Sequence, residues 1–75
     1  MDIIEFSVAC GTRSISFKTR RNIAMHAVKK NFAEWLGTHP DSLTLQYNAT
    51  FLTDNDTPND IGMHNGDIVR AVRVQ

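Results

Sequence analysis

The sequence has little of what usually staples a small protein. It holds one cysteine, Cys10, so no disulfide can close within the chain and no thiolate cluster can hold a metal. No apolar run approaches the roughly 20 residues that cross a bilayer as a helix, which argues against a membrane partner. The start, Met1-Asp2-Ile3-Ile4-Glu5, lacks the basic and apolar regions of a secretory leader. Cysteine poverty and the missing leader together point to a nuclear or cytoplasmic protein. There is no low-complexity tract, internal repeat or linker. The formal net charge is zero, and no aromatics are interleaved with the basic residues, which argues against nucleic acid as a partner.

What is present is ordinary for a soluble globular domain: 41% hydrophobic and 21% charged residues. At 75 residues the chain reads as a single domain, 1–75, because pieces would be too small to bury a core. The charges are sorted along it. Phe6 to Ala33 carries six bases (Arg13, Lys18, Arg20, Arg21, Lys29, Lys30) and no acid. Glu34 to Asp67 carries six acids (Glu34, Asp41, Asp54, Asp56, Asp60, Asp67) and no lysine or arginine. If the fold keeps the blocks apart, the surface has two poles of opposite sign.

Periodicity gives the elements. Ile4, Phe6 and Val8 alternate with Glu5 and Ser7, and Ile15 and Phe17 alternate with Ser14, Ser16 and Lys18. Two alternating runs across Gly11-Thr12 predict a β-hairpin. Met25, Val28, Phe32 and Leu36 then recur at helical spacing, with Asn22 as the expected N-cap and Gly37 as the expected left-handed C-cap. The helix is expected to run about 13 residues. Leu43, Leu45 and Tyr47 predict a third strand, and Phe51-Leu52 a brief edge strand. Thr57 is expected to cap a single helical turn begun by Pro58, and Asn65-Gly66-Asp67 to turn into a last strand from Ile68 to Val74. The order β-β-α-β-β-(short helix)-β, with one main helix packed on a mixed sheet, is an α+β fold of the β-grasp arrangement.

At these residues the chain resembles the ubiquitin-like superfamily, and within it the SUMO branch. The most specific stretch runs from Asp56-Thr57-Pro58 through Asp60-Ile61-Gly62-Met63 to Asn65-Gly66-Asp67-Ile68-Val69. Ile15-Ser16-Phe17-Lys18 is similar to the family's second strand, and Ser42 to Tyr47 to its third. The Gly66-Asp67 ending resembles the SUMO-like domains of genome-stability scaffolds more than a free modifier. A covalent modifier needs a terminal Gly-Gly, whereas the sequence closes on Arg73-Val74-Gln75. The resemblance therefore implies a non-catalytic interaction domain that docks on the SUMO pathway, chiefly on the SUMO-conjugating E2 enzyme. The alternatives are a SUMO-type modifier shown without its tail, or a protein-specific adaptor.

The resemblance places the E2-type partner face at Gly62, His64, Asn65, Gly66 and Asp67, with Thr44 beside them. It places a second surface, a groove between the second strand and the helix that takes a peptide as an added strand, at Ile15, Phe17, Lys18, Thr19, Arg20, Val28, Lys29 and Phe32. Ala27 and Trp35 stand there where the family carries basic residues. Gln46 stands where ubiquitin has the central isoleucine of its recognition patch. His26, His39 and His64 have no metal-ligand spacing, Cys10 has no activating histidine, and no polar constellation converges. The expectation is no enzyme, no cofactor and no small-molecule substrate.

Overall fold

The computed structural model describes residues 2–74; Met1 of the opening motif and Gln75 of the closing one lie outside the described residues. Strands β1 (Ile3–Cys10) and β2 (Arg13–Arg20) form the expected hairpin, in unbroken register from Ile3–Arg20 to Cys10–Arg13. Gly11 turns it with φ +62°, a conformation that costs glycine little. Helix α1 (Met25–Leu36) crosses to β3 (Leu43–Tyr47), which pairs with the two-residue β4 (Thr50–Phe51). Helix α2 (Pro58–Ile61) leads to β5 (Ile68–Arg73). The sheet order is β2-β1-β5-β3-β4, with β1 and β5 parallel and the other neighbours antiparallel. This is the expected mixed-sheet α+β architecture.

The core lies between α1 and one face of the sheet. Ile4, Phe6 and Val8 of β1 meet Val69 and Ala71 of β5, Leu43 and Leu45 of β3, and Met25, Val28, Phe32, Ala33 and Leu36 of α1. All are buried, as strand alternation and helical spacing require. Met63 joins them, fully buried, and Ile61 packs alongside. Burying each large side chain is worth about 1.5–3 kcal/mol, so the short helix α2 stabilises the fold through the two apolar residues it delivers.

One expectation is corrected and two features are added. Asn22 does not cap α1. The N-cap is Ala24, which makes no side-chain cap; instead the Met25 N–H donates to Asp56 O at 2.8 Å and the His26 N–H to Asp54 O at 3.1 Å. A loop remote in sequence satisfies the free amides of the first turn, so the helix starts later and spans 12 residues. A 3₁₀ turn, Pro40–Ser42, unexpected from the sequence, leads into β3, with the His39 Nδ1 accepting from Asp41 N–H. Finally, the charge blocks are not fully kept apart: Lys29 Nζ lies 3.8 Å from Asp54.

The other caps are as expected. Gly37 ends α1 at φ +86°, its N–H donating to Ala33 O at 2.9 Å. Thr57 Oγ1 accepts from Asp60 N–H at 3.1 Å, with Pro58 in the first turn. Urea denaturation separates the real cap from the apparent one. Thr57→Ala should cost about 1 kcal/mol, whereas Asn22→Ala should stay within about 0.5 kcal/mol, as at an ordinary surface site; equal losses would contradict this capping scheme.

Candidate functional site

The turn before β5 is held from both sides. Glu5 N–H donates to Asn65 Oδ1 at 2.9 Å, Gly66 N–H to Glu5 O at 2.8 Å, and Ser7 N–H to Asp67 O at 2.9 Å. Asp67 Oδ2 accepts the Tyr47 hydroxyl at 2.6 Å and the His64 N–H at 2.8 Å. Arg21 donates to Met63 O at 2.9 Å just upstream. Gly62 and Gly66 take φ of +72° and +88°, and this left-handed backbone lets the chain reverse twice within a few residues. Gly62, His64, Asn65 and Gly66 are exposed around the half-buried Asp67.

The structure therefore brings Gly62, His64, Asn65, Gly66 and Asp67 together, but it does not bring Thr44 to them. Thr44 pairs with Val72, five residues along β5 from Asp67, or roughly 16 Å at ~3.3 Å per residue. Tyr47 sits where Thr44 was expected. Alternation marked it only as a third-strand apolar residue; its hydroxyl pairing with a residue 20 positions on carries no sequence signal.

The Tyr47–Asp67 pair also sets local proton affinities. The Tyr47 hydroxyl, and after it the His64 N–H, hold the Asp67 carboxyl below its ordinary 3.8. The hydrogen bond to Asp67, then burial, raises the Tyr47 phenol above its ordinary 10.0. Ionised Asp67 favours the fold, so its contribution is complete above 3.8 and is lost as pH falls through the lower folded value. Neutral Tyr47 favours it likewise, so that contribution is complete below 10.0 and is lost as pH rises through the higher folded value.

At the other surface, β2 is the sheet edge, with no strand on its outer side among the described residues. Ile15, Phe17 and Thr19 are half-buried and lean toward α1, while Lys18 and Arg20 are exposed on the opposite face. Phe17 stacks on Phe6 with centroids 5.9 Å apart. Three groove assignments are corrected. Val28 and Phe32 are fully buried and form the core beneath the groove rather than its lining. Lys29 pairs with Asp54 and lines, with Leu45 and Leu52, a small cleft on the flank of α1 that faces β3. The flank facing β2 is marked by Trp35, 40% exposed, over which Arg13 lies 4.6 Å from the ring centroid while donating to Leu36 O at 3.3 Å. Ala27 and Asn31 precede Trp35 at i−8 and i−4 on that flank. The Trp35–Arg13 contact carries no sequence signal either, because it joins a hairpin tip to a helix end.

Among the described residues no group of histidine, cysteine, aspartate or glutamate is placed to hold a metal ion, and no helix is long and apolar enough to cross a membrane. The surfaces on offer are strand edges, turns and a sheet face, which is the equipment of a β-grasp protein-interaction domain. The ubiquitin family profile matches residues 4–75, and the chain belongs to the ubiquitin family. Its structure is similar to Caldiarchaeum subterraneum ubiquitin, with a TM-score of 0.89 and 18% identity over 97% of this chain and 95% of that one. It is also similar to the N-terminal ubiquitin-like domain in the 4931431F19Rik protein, with a TM-score of 0.84 and 26% identity over 99% of this chain and 77% of that one. Domains of this family generally serve protein–protein interaction and are generally non-catalytic.

Tyr47→Phe should cost about 1 kcal/mol at neutral pH, as for a half-exposed hydrogen bond to a carboxylate. In urea titrations across pH, the deficit should shrink as pH falls below 3.8 and through the lower folded value of Asp67, where wild type loses the ionised acceptor. A deficit independent of pH would refute the Asp67 link.

Proposed function

We propose that this ubiquitin-family domain is a SUMO-like docking module that recruits the SUMO-conjugating enzyme, or another SUMO-pathway component, through the turn from Gly62 to Asp67. The observation that carries the reading is the clipping of that turn to β1 and β3, which presents His64, Asn65 and Gly66 exposed on a rigid frame. Pre-organisation of this kind lowers the ordering cost of association. The contact would be small, roughly 500 Å² on each partner, and so reversible. The setting that fits the resemblance is a nuclear or cytoplasmic scaffold concerned with genome maintenance, with no cofactor involved.

Asp67 contributes to this face as a strut. Its Oδ2 accepts two hydrogen bonds, and with His64, Asn65 and Gly66 standing where the SUMO pattern has acids, the face offers a partner less acidity than that pattern implies. A second reading is the adaptor that takes a peptide on β2. The open edge, the half-buried Ile15 and Phe17, and the absence of acid along β2 favour it. The covalent-modifier reading depends on whether the gene encodes Gly-Gly after Gln75.

The test is an NMR titration of the isotope-labelled chain with its cognate SUMO-conjugating enzyme. Amides of Glu5 and of His64 to Gly66 should shift. His64→Glu should tighten binding roughly threefold and His64→Lys should weaken it, as one exposed charge contact of about 0.2–1 kcal/mol implies. Silence at high micromolar enzyme would sink the proposal, and shifts confined to Ile15–Thr19 would favour the peptide groove. Asp67→Arg is a poor test, because it breaks the turn whether or not a partner binds there.

A further inference from the structure

Asn65 and Gly66, both exposed in the turn before β5, form the one Asn-Gly step of the sequence. We propose that Asn65 is a self-modification site. When the two hydrogen bonds that clip this step to Glu5 open, the Gly66 nitrogen attacks the Asn65 carboxamide and converts it to a carboxylate.

The first support is the pairing of reacting groups. Asparagine is a chemically labile residue, because the nitrogen of the following residue can close a ring on its side-chain Cγ. The chain has six asparagines, followed by Ile23, Phe32, Ala49, Asp56, Asp60 and Gly66. All but Gly66 carry a Cβ that crowds the approach, and glycine also turns most freely about its backbone. The step balances with water as its co-reactant. Solvent base takes the Gly66 N–H proton, a bond forms from that nitrogen to Asn65 Cγ, and ammonia leaves. The cyclic imide then takes up water. Addition at Cγ gives aspartate, whereas addition at the Asn65 backbone carbonyl gives isoaspartate, with one more methylene in the main chain.

The second support is the hydrogen-bond pattern, which supplies the gate. Gly66 N–H donates to Glu5 O at 2.8 Å, and Asn65 Oδ1 accepts from Glu5 N–H at 2.9 Å. One residue of β1 thus holds both nucleophile and electrophile, and the proton that must leave first is engaged. Exposed turns open locally at lower cost than the core, and opening here frees both groups.

The third support is what each product does in place. Aspartate keeps an acceptor for Glu5 N–H and puts a negative charge between the engaged Asp67 and the exposed Glu5. Isoaspartate lengthens the chain ahead of Gly66, so Gly66 N–H no longer meets Glu5 O. The turn therefore has two converted forms, one clipped and acidic, the other unclipped. None of this requires a partner, so the conversion proceeds even if docking at the turn fails.

The test is incubation of the full chain at neutral and mildly alkaline pH, with peptide mapping by mass spectrometry and a separate assay for isoaspartate. Exchange of the Gly66 amide is followed by NMR on the same protein. In the urea-unfolded chain Asn65 should convert before any other asparagine, and faster as pH rises. In the folded chain conversion should be at least about tenfold slower, equivalent to an opening cost of about 1.4 kcal/mol. Gly66 amide exchange should be slowed by the same factor, because removal of the same proton gates both. Tyr47→Phe loosens the turn without touching the reacting groups and should speed both together, and Asn65→Asp supplies the product standard. Equal rates in folded and unfolded chain, earlier conversion at another asparagine, or a folded rate unmoved while Gly66 exchange quickens would each overturn the inference.

Discussion

The parallel pairing of β1 with β5 is the constraint on which the rest depends. It joins β1 to β5, Ser7 to Ile68 and Ala9 to Arg70, and so requires the chain between them to leave the sheet through α1 and return to it. β1 also carries β2 on its other side, so its inward residues Ile4, Phe6 and Val8 are enclosed by strands on both sides and by α1 above. Their near-complete burial follows from that central position. The turn at residues 64–67 is a consequence of the same pairing. To enter β5 beside Ser7 the chain must pass Glu5, and the hydrogen bonds between Glu5 and residues Asn65 and Gly66 fix where it passes.

The segment from Asp54 to Asp67 has two structural duties that compete with any external role for its acids. At one end, backbone carbonyls of Asp54 and Asp56 cap α1, and the Asp54 carboxylate meets Lys29. At the other, Asp67 ties the turn to Tyr47. In between, Thr57 and Pro58 deliver Ile61 and Met63 to the core. The carboxylates of Asp54, Asp56 and Asp67 are thus tied locally, and their fields act close to where they arise. A partner attracted by long-range steering would feel little of them, because exposed charges are screened beyond roughly 10 Å at moderate salt.

Legibility in the sequence followed the range of the interactions. Strand alternation, the hairpin turn at Gly11, the C-cap at Gly37 and the Thr57-Pro58 cap are settled by residues within a few positions of each other, and each appeared as expected. Asn22 misled because it has the right chemistry for a cap, yet backbone carbonyls from about 30 residues away took that duty. Thr44 misled for a related reason: without the register of β3 against β5, nothing says which end of β3 lies by the turn. The resemblance placed Lys29 on the groove beside Val28, but a single residue on a helix is a rotation of about 100°, enough to carry it to the other flank. The cluster Gly62–Asp67 could be read because it is contiguous.

The same logic bears on how this domain differs from others of its fold. Strand pairing and the apolar core dictate the scaffold, and neither dictates what the outer sheet face or the turns display. On that face the scaffold holds Gln46, Arg70, Ile68 and Phe51 at fixed spacing, with Ile68 and Phe51 left open to solvent. At the turn it holds His64, Asn65 and Gly66 between the engaged carboxylate of Asp67 and the exposed Glu5. Glu5 and Arg70 are both exposed and make no ion pair among the described residues, so the outer surface shows charges of both signs. Arg70 is a residue free to vary, because the core needs only its neighbours Val69 and Ala71.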